Sequence, residues 1–267
     1  MMPPDHPRDG PDQPRHNARL ALACLDLTSL NAADTEADIA ALCRRAQSPF
    51  GPVAAVCVWP RLAAFARSHL PTAIGVAAVA NFPYGDADIN AAVRDTAQIV
   101  QAGAQEIDVV LPYRSLMAGE DRAASQLLLA VRRACPGLLL KVILETGELK
   151  TPALMERACQ LSLDSGADFL KTSTGKTPVS ATLEAARIML GAVAASPAAR
   201  QRVGFKAAGG IRTVAEAAAY LALTQELLGA HALTPQRFRI GASSLLNDIE
   251  ALLSGTAEPT PAPRNAY

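Results

Sequence analysis

Aromatic side chains make up only 4% of the 267 residues, although half of all residues are hydrophobic. The core must therefore come from Ala, Leu, Val and Ile, which argues against an aromatic stacking surface for single-stranded nucleic acid. Net charge is also lacking, since 25 Lys plus Arg face 25 Asp plus Glu. No global field holds nucleic acid or an anionic membrane, and any anion site must be local. The five cysteines (Cys24, Cys43, Cys57, Cys135, Cys159) include no CxxC pair. Odd in number and scattered, they read as reduced thiols of a cytoplasmic protein. His6, His16, His69 and His231 form no HExxH and no Cys/His cluster, so no metal and no other cofactor is expected. No apolar run reaches the roughly 18 residues that cross a bilayer. Residues 1–17 hold five prolines and no apolar stretch, and read as a flexible leader rather than a secretory signal. Residues 255–267, again Pro-rich, read as a flexible tail ending in a lone aromatic, Tyr267.

Between these ends the pattern alternates. Short β-branched or aliphatic runs occupy 22–27, 53–58, 73–79, 106–111, 138–144, 168–172, 203–206 and 238–240. The stretches between them place apolar residues three, four and seven apart, as in Ile39, Leu42, Cys43 and Ala46, or Ile89, Val93, Ala97 and Val100. That is the stripe of an amphipathic helix. A Gly-Ala pair recurs at Gly103, Gly166 and Gly229, each time after a helical stretch and before a strand, where glycine fits a left-handed stop. The interval suits two βα units of roughly 30 residues each. Eight alternations in a chain of this length predict an α/β fold, a single-domain (β/α)8 TIM barrel over residues 18–254. An open doubly wound sheet is the second choice, and no GxGxxG supports it.

Lysine is scarce. Of the 25 basic residues only Lys141, Lys150, Lys171, Lys176 and Lys206 are lysine. Arginine serves wherever a surface charge suffices, so lysine is expected where an amine is required, because only that group can lose its proton near neutral pH and attack a carbonyl. Lys141, Lys171 and Lys206 lie within apolar strands, where an unpaired charge is costly. They either pair with strand carboxylates such as Asp26, Asp108 and Glu145, or they carry chemistry. Lys171 and Lys206 close adjacent strands, six and seven, at the rim where barrels place their active sites. Two neighbouring ammonium groups in a half-buried site depress each other's pKa, leaving one amine neutral and nucleophilic. Three glycine-bearing loops open on the same rim: Ser173-Thr-Gly-Lys-Thr, Ala208-Gly-Gly-Ile-Arg-Thr and Gly241-Ala-Ser-Ser. Such loops approach anions closely and suit a phosphate. Ser243 and Ser244 could instead cap the last helix. Gly175-Lys176-Thr177 ends like a P-loop, but Leu170 stands where the first glycine is needed.

Several segments together resemble the class I deoxyribose-phosphate aldolases. They are Leu25-Asp-Leu-Thr, Glu106-Ile-Asp-Val-Val with the following Pro-Tyr-Arg, Lys141-Val-Ile-Leu-Glu-Thr-Gly-Glu-Leu, Asp168-Phe-Leu-Lys-Thr-Ser-Thr-Gly-Lys, Gly204-Phe-Lys-Ala-Ala-Gly-Gly-Ile-Arg-Thr and Arg239-Ile-Gly-Ala-Ser-Ser. The resemblance implies a Schiff-base enzyme that reversibly cleaves 2-deoxyribose 5-phosphate to acetaldehyde and glyceraldehyde 3-phosphate in deoxynucleoside catabolism. It implies Lys171 as the imine-forming lysine, Lys206 as its perturbing neighbour, and Asp108 as the acid/base carboxylate acting with Lys206 through water. Gly175, Lys176, Gly209, Gly210, Gly241, Ser243 and Ser244 match phosphate-binding positions, and Asp26 and Thr28 fall near the substrate hydroxyls. Lys141 joins the surrounding charged network, and Tyr267 matches a terminal tyrosine that some members bring to the site. The family works without metal, on small phosphosugars and aldehydes, and favours homodimers. The rival readings are another imine-forming sugar-phosphate aldolase or a transaldolase, and a non-catalytic phosphosugar-binding barrel.

Overall fold

A computed structural model describes residues 12–256; the expectations for residues 1–11 and for the tail beyond 256, Tyr267 included, lie outside them. Eight parallel strands form the barrel: β1 (Leu25–Thr28), β2 (Ala55–Val58), β3 (Gly75–Ala80), β4 (Glu106–Val110), β5 (Leu139–Ile143), β6 (Phe169–Lys171), β7 (Gly204–Ala208) and β8 (Phe238–Ala242). Strands adjacent in sequence pair with each other, and β8 pairs with β1 to close the ring. Each expected strand is present.

The helices lie between and around them: α1 (Gln13–Ala23), α2 (Glu36–Arg45), α3 (Pro60–Ser68), α4 (Ile89–Gln101), α5 (Tyr113–Met117), α6 (Asp121–Ala134), α7 (Thr146–Leu149), α8 (Pro152–Asp164), α9 (Leu183–Ala195), α10 (Val214–Leu228) and α11 (Leu245–Ser254). Threonine starts four of them. The Thr35, Thr151, Thr182 and Thr213 hydroxyls accept from backbone N–H groups of α2, α8, α9 and α10, satisfying donors that the helix itself leaves unpaired. Residues 13–17, assigned to the leader on their proline content, are instead the opening of α1. Pro14 occupies its first turn, where the missing N–H costs nothing. The helix buries Ala18, Ala21 and Leu22, and Arg15 Nη2 donates to the Leu253 carbonyl at 3.3 Å, tying it to α11. Leu22 therefore belongs to a helix rather than to the first strand.

The three Gly-Ala glycines all have positive φ, 74° at Gly103, 83° at Gly166 and 87° at Gly229, as a helix stop requires. Every strand is almost wholly buried. Inside the barrel one glycine is sterically required: a Cβ on Gly204 would lie 2.3 Å from the ring of Phe169. The aromatic ring fills the space that a side chain on β7 would otherwise occupy.

Candidate active site

The interior of this barrel is charged rather than apolar. Register sets Lys171 beside Lys206 on β6 and β7, Lys206 beside Arg239 on β7 and β8, and Asp108 beside Lys141 on β4 and β5. Closure brings Asp26 of β1 up to the last strands, 213 residues away in sequence from its partner Arg239. The four cations Lys141, Lys171, Lys206 and Arg239 thereby meet the three carboxylates Asp26, Glu106 and Asp108, all buried.

Asp108 is the hub. Its Oδ2 accepts from Lys171 Nζ at 2.8 Å and from Lys206 Nζ at 2.7 Å, and its Oδ1 accepts from Lys141 Nζ at 2.8 Å. Lys206 Nζ also donates to Asp26 Oδ2 at 2.5 Å. Lys141 donates to Glu106 Oε2 at 2.5 Å and lies 3.6 Å from Asp26 Oδ2. Arg239 bridges Asp26 and Glu106 at 2.6 and 2.8 Å. The three lysines therefore pair with carboxylates, and Lys171 and Lys206 converge on one oxygen atom. Glu145 is the exception, since it takes no lysine.

The pKa shifts follow from how many partners each amine has. Burial depresses Lys171 most, and the Lys206 cation pushes the same way, while Asp108 alone opposes them strongly; the net shift is downward. Burial and the cationic neighbour thus act together, with burial the larger of the two. Lys206 is equally buried, but Asp108 and Asp26 together overcome that penalty and hold it above the ordinary lysine range. Lys141 is also held up, by Asp108, Glu106 and Asp26 against burial. Asp108 stays well below the usual carboxylate range because its three lysines outweigh the burial that raises it. Cys57 Sγ lies 3.8 Å from Asp108 Oδ2; burial pushes the thiol up to about 11, which makes it an inert core residue.

Above the network, at the carboxyl ends of the strands, lies a cavity of about 310 Å³. Of the network only Lys171 lines it. The walls are Thr28 and Ser29 at the end of β1, Gly175 and Lys176 after β6, Gly209, Gly210 and Arg212 after β7, and Gly241, Ser243 and Ser244 at the end of β8. The seven residues matched to phosphate-binding positions therefore all line one cavity. Among the described lining residues none is acidic, and the charged ones are Lys171, Lys176 and Arg212.

Gly175, Gly209 and Gly210 have φ of 77°, 92° and 87°, a conformation that L residues rarely adopt. A Cβ on Gly209 would stand 2.5 Å from Ser180. Gly241 leaves room for the Lys206 side chain, whose Cε would be 3.0 Å from an added Cβ. Ser244 occupies the N-cap position of α11 but makes no capping bond, so its hydroxyl is not committed to the helix. Lys176 Nζ donates to the Leu30 carbonyl at 2.8 Å, spanning the loops after β6 and β1. Asp26, expected near the substrate hydroxyls, is fully buried in the network and does not reach the cavity; Thr28 does.

Glu106, Arg239, Glu145 and Arg212 carry roles that sequence reasoning did not assign to them. Glu145 has a left-handed backbone, φ 57°, and its carboxylate accepts from Thr174 N, Thr174 Oγ1 and Thr177 Oγ1, which holds the loop that bears Gly175 and Lys176. In the sequence Glu145 reads as a strand-end carboxylate available to a lysine, and nothing there signals its threonine partners. No group of three or more His, Cys, Asp or Glu positioned to hold a metal ion occurs among the described residues, and no described helix is long and apolar enough to cross a membrane.

Comparison with known proteins agrees with this geometry. The chain is 48% identical over 256 residues to a curated deoxyribose-phosphate aldolase of Agrobacterium fabrum, covering 94% of this chain and 96% of that one. A solved aldolase, QR15, is 26% identical, with a TM-score of 0.74 over 88% of this chain and 97% of its own. An apo structure from Toxoplasma gondii ME49 has a TM-score of 0.83 at 24% identity, over 91% of this chain and 98% of that one, and shows the shared fold. Residues 20–251 match the family described as DeoC/LacD family aldolase, and the chain belongs to that family of aldolases.

Proposed function

We propose that the protein is a class I aldolase that cleaves 2-deoxy-D-ribose 5-phosphate reversibly to acetaldehyde and D-glyceraldehyde 3-phosphate. One observation carries this reading: Lys171 lines a cavity whose charged residues are all cationic, and its Nζ shares a single carboxylate oxygen with a second lysine. An amine with a depressed pKa at the base of a phosphate-sized pocket is what imine formation on a phosphorylated aldehyde needs.

The Lys171 amine adds to the C1 aldehyde of the open-chain sugar, and loss of water gives a protonated imine. A base takes the C3 hydroxyl proton, the C2–C3 electron pair moves toward the imine, and glyceraldehyde 3-phosphate leaves with C3 as its aldehyde. The enamine left on Lys171 takes a proton at C2, and water hydrolyses the resulting imine to acetaldehyde and free amine. Asp108 exchanges protons with Lys171 and Lys206 over hydrogen bonds of 2.8 and 2.7 Å, so it is the group that moves protons between the reacting centre and its neighbours. The glycine loops and Lys176 hold the phosphate, and that remote binding energy orients C1 to C3 over the amine. Thr28, at the cavity wall, serves the sugar hydroxyls.

The test is trapping. Incubation with acetaldehyde or the sugar phosphate, then borohydride reduction and peptide mass spectrometry, should find one alkylated residue, Lys171. An adduct confined to Lys206 or Lys176, or none under turnover, contradicts the assignment. Cleavage of other sugar phosphates at comparable rates would replace the substrate while keeping the mechanism. Binding without any adduct would favour a non-catalytic barrel.

A further inference from the structure

The network beneath Lys171 extends through the barrel to its opposite mouth. There a second cavity of about 520 Å³ is lined by Arg19, Gln236, Glu106 and Arg239, among others. Glu106 and Arg239 touch neither the upper cavity nor Lys171. Their partners are Lys141 and Asp26, which in turn pair with Asp108 and Lys206.

Fully ionised, the network holds four cations (Lys141, Lys171, Lys206, Arg239) and three carboxylates (Asp26, Glu106, Asp108), a surplus of one positive charge. Burying net charge is costly in a low-dielectric interior, and a balanced cluster escapes most of that cost. Which cation gives way is decided by contacts. Arg239 does not deprotonate. Lys206 has two carboxylate partners within 2.7 Å, and Lys141 has three within 3.6 Å. Lys171 has one, Asp108, which it shares. The charged and titratable groups around Lys171 are Asp108 of β4, Lys206 of β7, Lys141 of β5, Cys57 of β2 and Glu145 after β5. None of them offers it a second ion pair.

We propose that Glu106 and Arg239 are positioning residues at the far mouth of the barrel. As a mutually neutralising pair they hold the surplus of the buried network at one positive charge, which Lys171 alone among its lysines relieves by giving up its proton. This rests on the reading of Lys171 as the imine-forming lysine, but it can fail separately. Removing Arg239 deletes the surplus cation, so Lys171 keeps its proton to higher pH. Removing Glu106 enlarges the surplus, so Lys171 loses its proton sooner. A purely structural contribution would move both variants in the same direction.

The scarcity of lysine makes the test practical, because the whole chain contains five and a ¹⁵N-lysine spectrum has five Nζ signals to assign. Titration of the full-length wild type should show Lys171 deprotonating before Lys141 and Lys206. In Arg239→Gln its midpoint should rise by about one unit, the order of magnitude expected for removing one unit charge from the same buried network. In Glu106→Gln it should fall by a similar amount, and in the double variant it should return close to wild type. Shifts of one sign in both single variants, or midpoints unmoved in folded variants, overturn the proposal. So does a wild type in which Lys141 or Lys206 deprotonates first, a result that needs no variant to fold. Borohydride labelling away from Lys171, with the titration order as stated, would sink the imine reading and leave the charge balance standing.

Discussion

The two faces of the barrel are built from different side chains. At the amino ends of the strands, arginines stitch the loops shut. Arg67 donates to the carbonyls of Leu70, Pro71 and Ile74. Arg132 reaches those of Cys135 and Leu138 as well as Asp168, and Arg237 binds those of Arg200, Gln201 and Val203. At the carboxyl ends, glycines with positive φ (Gly175, Gly209, Gly210) leave backbone uncovered around a cavity. Arginine's planar fork satisfies several carbonyls at once, while glycine lets backbone come close to an anion. One face stores stability and the other is kept open for a ligand, the division expected of this fold. It also accounts for a chain that uses arginine for nearly every positive charge and reserves lysine for the interior and the upper rim.

If that division holds, substitutions on the two faces should separate activity from stability. The largest effect belongs to Lys171→Arg, which keeps a cation but removes the attacking amine. Turnover of deoxyribose 5-phosphate should fall on the order of 10⁵-fold with the melting temperature nearly unchanged. Arg132→Ala should do the reverse. It removes bonds to Asp168 and two carbonyls, and denaturant melts should show a loss of about 3 kcal/mol while kcat/KM at 25 °C stays within about twofold. Gly209→Ala places a Cβ against Ser180 and strains a φ of 92°. It should raise KM for the phosphorylated sugar about tenfold and leave unphosphorylated deoxyribose almost unaffected, as steady-state kinetics on both substrates would show.

The smallest effect concerns pH. The folded-state pKa of Lys171 is lowered, so the cost of burying its charge is fully present below that value and is relieved as pH rises through it toward the unfolded value of about 10.4. Lys171→Met should therefore be more stable than wild type by about 1 kcal/mol at pH 6, with a smaller gain at pH 9, in paired thermal melts. A gain that grows with pH would show that the surplus charge is misassigned.

Much of this was legible before any coordinates. Eight apolar runs separated by helical stripes were enough for the barrel, and three lysines in apolar strands pointed to its interior. Strand ends were less visible, because an apolar residue such as Leu22 satisfies a helix face as readily as a strand; it belongs to α1. Pro14 fits a Pro-rich leader and the first turn of a helix equally well, and it stands in the latter. The roles of Arg239 and Glu106 are invisible in the sequence because a charged residue in a strand gives no sign of its partner. Only closure of the sheet puts Arg239 against Asp26 and Glu106. Asp26 belongs to a family-like motif yet lies in the network below the cavity, because a motif does not record which of the two a residue faces.

The most direct test is a crystal structure of the enzyme reduced with borohydride in the presence of acetaldehyde. Electron density for a two-carbon group continuous with Lys171 Nζ, projecting into the upper cavity with Asp108 and Lys206 still paired beneath it, is the predicted result. Density joined instead to Lys206, or a Lys171 amine left bare in crystals that have lost activity, would contradict it.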